Sequence, residues 1–238
     1  MQSGVRPVYI QLRDKLWQQI EDKAMGSQER LPSERELAGL FATTRVTVRQ
    51  ALGQLEAEGK IFRSNRRGWY VTPERLQYDP SQDIGFYNLV HQQGYTPSTE
   101  TLGKQLTETP LWLAQLSGLV QGAPIYHIVR RRSIDNRCVL VEHNYINPDR
   151  CPGLLSQDTD HSIWQLLQSK YALSPHKRQI EIYPQALTGL EADALHVNQG
   201  SAGLFMQRLS YDDNDDFLEL DFEYWLHDAL KVAVQVGN

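Results

Sequence analysis

Residues 31–71 read LPSERELAGLFATTRVTVRQALGQLEAEGKIFRSNRRGWYV, and this stretch decides the fold. Ser33-Glu34-Arg35-Glu36 is a capping box: the Ser33 hydroxyl can accept from the Glu36 amide while the Glu36 carboxylate reaches back to the Ser33 amide. The short helix it starts turns Leu37, Ala38 and Phe41 inward. Thr43-Thr44 ends that helix and can cap the next, which runs to about Glu58 with Val48, Leu52 and Leu55 as its buried stripe. Gly59 supplies the left-handed stop. Two short β runs follow, residues 61–63 and 69–71, joined by Ser64-Asn65-Arg66-Arg67-Gly68. A hairpin directly after two helices joined by a tight turn is a wing.

Upstream, Tyr9, Leu12, Leu16 and Ile20 recur at helical spacing, and residues 26–30 form a loop. In a helix-turn-helix the second helix enters the major groove and presents its N-terminal residues to base edges. Arg45 and Arg49 lie one turn apart, opposite the Val48 and Leu52 stripe. An arginine fork matches both guanine and phosphate. The Thr44 and Thr47 hydroxyls suit phosphate oxygens, Arg35 projects towards the same groove, and Arg66, Arg67 and Gly68 form a wing tip suited to the minor groove. Singly, each arginine reads equally well as a solvated residue on a helix face. The set, arranged in this order, points to double-stranded operator DNA.

Charge is divided along the chain. Residues 1–75 carry a net of +4 and the remaining residues −9. A basic head on an acidic body suits a protein in which only the head meets a polyanion. An architectural DNA protein would spread its basic surface over the whole chain. Cys138 and Cys151 make neither a disulfide framework nor a metal cluster, and the histidines fall in no ligand pattern, so neither metal nor cofactor is expected. No apolar stretch is long enough to span a bilayer, and residues 1–12 lack a signal-peptide core, which implies a cytoplasmic protein.

Residues 31–71 closely resemble the N-terminal domain of GntR-family regulators. The resemblance implies a homodimer on a palindromic operator. Carried over position by position, it assigns DNA contacts to Arg35, Arg45, Thr47, Arg49 and Gly68. The wing departs from the family's frequent Gly-x-Gly tip.

The expected organisation is a winged helix-turn-helix over residues 1–72, a linker over 73–82 and a second domain over 83–238. From residue 83 the pattern alternates helices with long strands. Helices are expected over residues 84–93, 109–116, 162–171 and 188–195. Strands are expected over 99–106, 125–134, 139–146, 177–187, 203–211 and 217–225, with a last one near 231–236. Asp135-Asn136 is a hairpin signal. The fold class is α/β mixed (α+β), with a mainly antiparallel second domain.

In that domain Arg130 and Arg132 sit two apart on a strand and share a face, with Arg131 turned away. Such arginines need an anion or carboxylates. Glu142 lies across the hairpin and can pair with one of them, and an alternative has both pair internally with Glu142 and Glu219. Ser162 heads a helix, and its hydroxyl and the free amides suit an anion. Glu219, Asp221, Glu223 and Trp225 share a face of the closing strand, where carboxylates beside an aromatic ring suit an ammonium group. The adjacent His161-Ser162 pair is better explained by helix capping than by catalysis, so no catalytic residue is assigned.

The segments GFYNLVHQQGYTPSTETL, IYHIVRRRSIDNRCVLVEHNYI and HSIWQLLQSKYALSPHKRQIEI resemble the UTRA effector domain of the HutC-like subfamily, whose fold is similar to chorismate lyase. The resemblance implies a small-molecule effector. It puts phosphate-type contacts on Arg130, Arg132 and Ser162, a pocket wall on Trp164, and backbone amides at Gly85 and Phe86. Together with TTRVTVRQALGQLE, RRGWYVTPERL and DFEYWLHDALKV, these segments look most like regulators of 2-aminoethylphosphonate use. That compound is a zwitterion and would use both ends of the site. A phosphorylated sugar or another carboxylate or amino-acid metabolite is the alternative effector.

Overall fold

A computed structural model describes residues 6–22, 24–64, 67–82 and 84–236. The chain divides into two compact units, Met1–Arg75 and Leu76–Asn238.

The first unit holds α1 (Val8–Glu21), α2 (Glu34–Leu40), α3 (Arg45–Ala57) and the hairpin of β1 (Ile61–Ser64) and β2 (Gly68–Val71). Its core joins Leu12 and Leu16 of α1, Leu37 of α2, Val48, Leu52 and Leu55 of α3, and Ile61, Trp69 and Val71 of the hairpin. Both arms of the Ser33 capping box form. Thr44 caps α3 by accepting from the Thr47 amide at 3.2 Å. The end of α3 closes as a Schellman turn: Gly59, at φ 69°, donates to Glu56 and Lys60 donates to Leu55. β1 and β2 pair antiparallel from Ile61 against Val71 to Ser64 against Gly68. Arg30 bridges to Tyr70, so the loop before α2 adds a short edge to the wing.

The segment expected to be a linker, residues 73–82, is in part built into the second unit. Leu76–Tyr78 forms β3, a parallel partner of β10 (Leu230–Val232) in the second unit. Leu76 and Tyr78 are buried there, so apolar burial anchors a stretch that its prolines mark as loop. The last strand is correspondingly shorter than expected and begins one residue earlier.

The second unit is built on a six-stranded antiparallel sheet in the order β4-β5-β6-β9-β8-β7. The strands are β4 (Pro97–Glu108), β5 (Pro124–Ile134), β6 (Arg137–Ile146), β7 (Lys177–Leu187), β8 (Ser201–Tyr211) and β9 (Phe217–Leu226). Its helices are α4 (Phe86–Gln92), α5 (Leu111–Ser117), α6 (Ile163–Tyr171) and α7 (Gly189–Ala194). Asp135 and Asn136 both take positive φ, the requirement of the tightest hairpin turn, and join β5 to β6. Ile163 and Leu167 of α6 are buried in a cluster with Tyr126, Ile128 and Ile146 of the sheet. Each such side chain contributes about 1.5–3 kcal/mol on burial, enough to hold a nine-residue helix that would not persist alone.

Candidate functional site

The geometry offers two sites, one in each unit. In the first, α3 presents Arg45 and Arg49 away from the core, and both are exposed, as is Arg35 on α2. Arg49 Nε donates to Glu34 at 2.7 Å. Thr44 and Thr47 hydroxyls lie 3.0 Å apart at the N-terminus of α3. Arg67 is exposed at the wing, while Arg66 and Asn65 lie outside the described residues. Gly68 has φ 110°, and a Cβ there would come within 3.4 Å of the Arg30 guanidinium. Arg30 was not among the expected site residues, because only the Arg30–Tyr70 bridge brings it under the wing.

The second site is a cavity of about 60 Å³ on one sheet face, room for several waters or a small anionic group. It is lined by every effector residue expected from the sequence: Gly85, Phe86, Arg130, Arg132, Glu142, Ser162, Trp164, Glu219, Glu223 and Trp225. Strand register explains the convergence. Arg130 sits opposite Glu142, Glu142 opposite Glu223, and Asn144 opposite Asp221.

Arg130 and Arg132 behave differently. Both pair with Glu142, Arg132 at 2.8 Å. Arg130 is further tied to Asn144 at 3.1 Å and to the carbonyls of Thr159 and His161. It is a framework residue that fixes the floor of the cavity. Arg132 stacks on Phe86, its guanidinium 4.8 Å from the ring centre. Its buried Nε has no acceptor among the described residues. Burial pushes the Glu142 carboxyl up, but Arg130 and Arg132 together bring it below the usual carboxylate range, so it stays charged. Burial pulls Arg130 down, against the attraction of Glu142. Arg131 points to the other face and pairs with Glu100.

Ser162 caps α6 by accepting from the Gln165 amide at 3.2 Å. A Cβ on Gly85 would lie 3.9 Å from its hydroxyl, so the Gly85-Phe86 backbone and the start of α6 flank the same end of the cavity as Arg132.

Opposite Glu142 on the next strand, Glu223 is already occupied, accepting from Trp225 Nε1 at 2.8 Å and pairing with Arg208 at 2.8 Å. It is therefore no open counter-charge for an ammonium group, which corrects that part of the expectation. Glu219 and Asp221 meet instead at the Asn144 amide, which donates to both. Burial raises both carboxyls, Asp221 well above its ordinary value with Glu219 adding to the shift.

Arg208, Arg178, Asn144, Ser210 and Tyr78 also line the cavity and were missed. The signal was present in part: Met206, Arg208 and Ser210 alternate along β8, but the pairing of β8 with β9 is not readable from the sequence. Trp164 lines the cavity, with Arg178 5.9 Å over its ring.

A winged helix-turn-helix head and a second unit holding a charged cavity define a ligand-responsive DNA-binding transcription regulator. Residues 8–71 match the family described as bacterial regulatory proteins, gntR family, and residues 92–231 match the UTRA domain. The chain belongs to the GntR family of regulators, in the group that carries a UTRA effector domain. It is 30% identical over 225 residues to the HTH-type transcriptional regulator YihL of Escherichia coli K12, covering 94% of this chain and 95% of that one. It is 28% identical over 213 residues to the HTH-type transcriptional repressor NagR of Bacillus subtilis, covering 90% and 88%. The fold is shared with the crystal structure of PhnF from Mycobacterium smegmatis, at a TM-score of 0.67 and 22% identity over 95% of this chain and 99% of that one. YihL and NagR are transcriptional regulators rather than enzymes. No helix among the described residues is long and apolar enough to cross a membrane.

Proposed function

We propose that the chain acts in the cytoplasm as a homodimer on a palindromic operator, and that its effector is a small phosphonate or phosphate, with a zwitterion such as 2-aminoethylphosphonate the best fit. The observation that carries the effector reading is Arg132. A buried guanidinium nitrogen that finds no acceptor among the described residues is costly and suits a ligand oxygen. The start of α6 beside it offers free amides and a favourable dipole, so a tetrahedral anion can meet charge and amides together. Carboxyls lining the same cavity suit an amine. A phosphorylated sugar is the second reading, favoured by the many acceptors and donors that line the cavity and could serve hydroxyl groups.

The dimer follows from the reading head, because one recognition helix covers one half-site and the two half-sites of a palindrome require two copies. Light scattering should give twice the chain mass, and a monomer at micromolar concentration refutes the assembly. Arg35, Thr44, Arg45, Thr47, Arg49, Arg66, Arg67 and Gly68 are the proposed DNA contacts. For the effector, calorimetry with 2-aminoethylphosphonate on wild type and Arg132→Ala decides. Losing a charge-assisted bond should weaken binding by about 1.5–3 kcal/mol. No heat with wild type removes the ligand, and equal affinity removes the anion site. An unchanged circular dichroism spectrum verifies that the variant is folded.

A further inference from the structure

We propose that Glu219 and Asp221 hold one shared proton in the ligand-free protein, and that a ligand ammonium group takes the place of that proton on binding. The proposal rests on the zwitterion reading above and adds to it a proton-coupled subsite.

The geometry starts from Asn144. Arg130 Nε donates to its Oδ1 at 3.1 Å, which leaves Nδ2 facing the next strand. Nδ2 donates to Glu219 at 3.2 Å and also to Asp221. Both carboxyls alternate along β9 on the cavity face and are under 10% exposed. The one Asn144 amide group bonds both, so the two carboxyls sit side by side. Two ionised carboxylates in contact away from water repel strongly, whereas one proton between them turns the repulsion into a hydrogen bond.

The surrounding charges decide how firmly the proton is held. From β8, Arg208 reaches Asp221 only at 3.7 Å because Glu223 takes it at 2.8 Å. From β5, Arg130 is neutralised by Glu142 on β6. Arg178 on β7 lines the same cavity. On the side away from the cavity, the Cys151 thiol, pushed up to about 12 by burial and by Glu219, carries no charge. Among the described residues four arginines thus face four carboxyl groups, so a shared proton leaves that set one positive charge in excess. That excess favours an anion. When an ammonium group arrives, it donates to both carboxylates, the proton leaves to solvent, and the site again carries one positive charge at that position. No covalent bond changes.

The test uses full-length protein and two probes, 2-aminoethylphosphonate and ethylphosphonate, which lacks the amine. Infrared spectra of ligand-free wild type at pH 7 should contain a protonated-carboxyl carbonyl band that is missing from both Asp221→Asn and Glu219→Gln. Absence of the band from wild type overturns the shared proton, with or without a ligand. Calorimetry in buffers of different ionisation enthalpy should give about one more proton released per site from wild type than from Asp221→Asn for 2-aminoethylphosphonate, and no such difference for ethylphosphonate. The comparison cancels any proton that the phosphonate itself loses on binding. Binding of 2-aminoethylphosphonate with the band intact and no such difference overturns the exchange. If ethylphosphonate alone binds, the ammonium seat is wrong while the anion site stands. If neither binds, the ligand reading and the exchange fall together, and the infrared band still decides the proton.

Discussion

The same side chain serves the two units in opposite ways. In the reading head, Arg35, Arg45 and Arg49 stand in solvent, and the ion pair of Arg49 with Glu34 leaves the arginine side chain 63% exposed. In the effector unit, Arg130 and Arg132 are 2% and 7% exposed and share one carboxylate that is equally buried. An exposed guanidinium keeps its water, loses little on leaving a surface partner, and can be handed to a phosphate or a base edge. A buried one has lost its water and is held only by fixed acceptors, so it is bound to the architecture. Arginine in the head is therefore available, while Arg130 in the cavity is locked in place and Arg132 keeps a buried Nε with no acceptor among the described residues.

The comparison breaks most readily at Glu142. Glu142→Ala leaves two buried guanidinium groups facing each other without their common anion and should destabilise the second unit by about 3–5 kcal/mol. Urea denaturation followed by tryptophan fluorescence measures it, and a loss below about 1 kcal/mol would mean that the arginines are compensated elsewhere. The acid limb carries the same sign. Glu142 titrates below its unfolded value, so its contribution is present above the ordinary glutamate range and is lost as pH falls through the lower folded value. The variant should lack that part of the acid limb.

Arg45→Ala probes the available class. It should leave the fold intact and weaken specific operator binding by about 1–3 kcal/mol per half-site, felt twice in a dimer. Gel-shift affinity within twofold of wild type at fixed salt would remove Arg45 from base reading.

The reading head was legible because local signals specify it. The Ser33 box, the Thr44 cap, the Gly59 stop and the 3.6-residue stripe of α3 each act within a few residues, and each forms. The strands of the second unit were also visible, since alternation and the Asp135-Asn136 turn are local. What was hidden depends on register between distant segments. Arg208 comes level with Asp221 only because β8 pairs with β9, and β3 is a strand only because β10, more than 150 residues later, offers it an edge. Prolines around residues 73–80 signalled loop, and burial of Leu76 and Tyr78 overrode that signal. Glu223 read as an open carboxylate because nothing in the sequence shows that Arg208 and Trp225 already fill it.

The smallest effect tests the comparison from the exposed side. Glu34 and Arg49 form an ion pair of the same chemistry as Glu142 and Arg132, at 2.7 Å against 2.8 Å. Distance alone would rank them equal. Exposure separates them, because solvent screens the Glu34 pair and ordering two flexible side chains offsets most of its attraction. Glu34→Gln should therefore change stability by less than about 0.5 kcal/mol. Its effect on DNA should run the other way. Arg49 must leave Glu34 to meet a phosphate, and removing the carboxylate also removes a negative charge beside the recognition helix, so operator affinity should rise slightly at low salt. Arg49→Ala should in turn lower the slope of log affinity against log salt by about 1 for each phosphate it no longer neutralises. Fluorescence anisotropy across a salt series reads both. A stability loss for Glu34→Gln comparable to that of Glu142→Ala would show that the head's arginine is held as firmly as the cavity's, and the division drawn between the two units would fail at that residue.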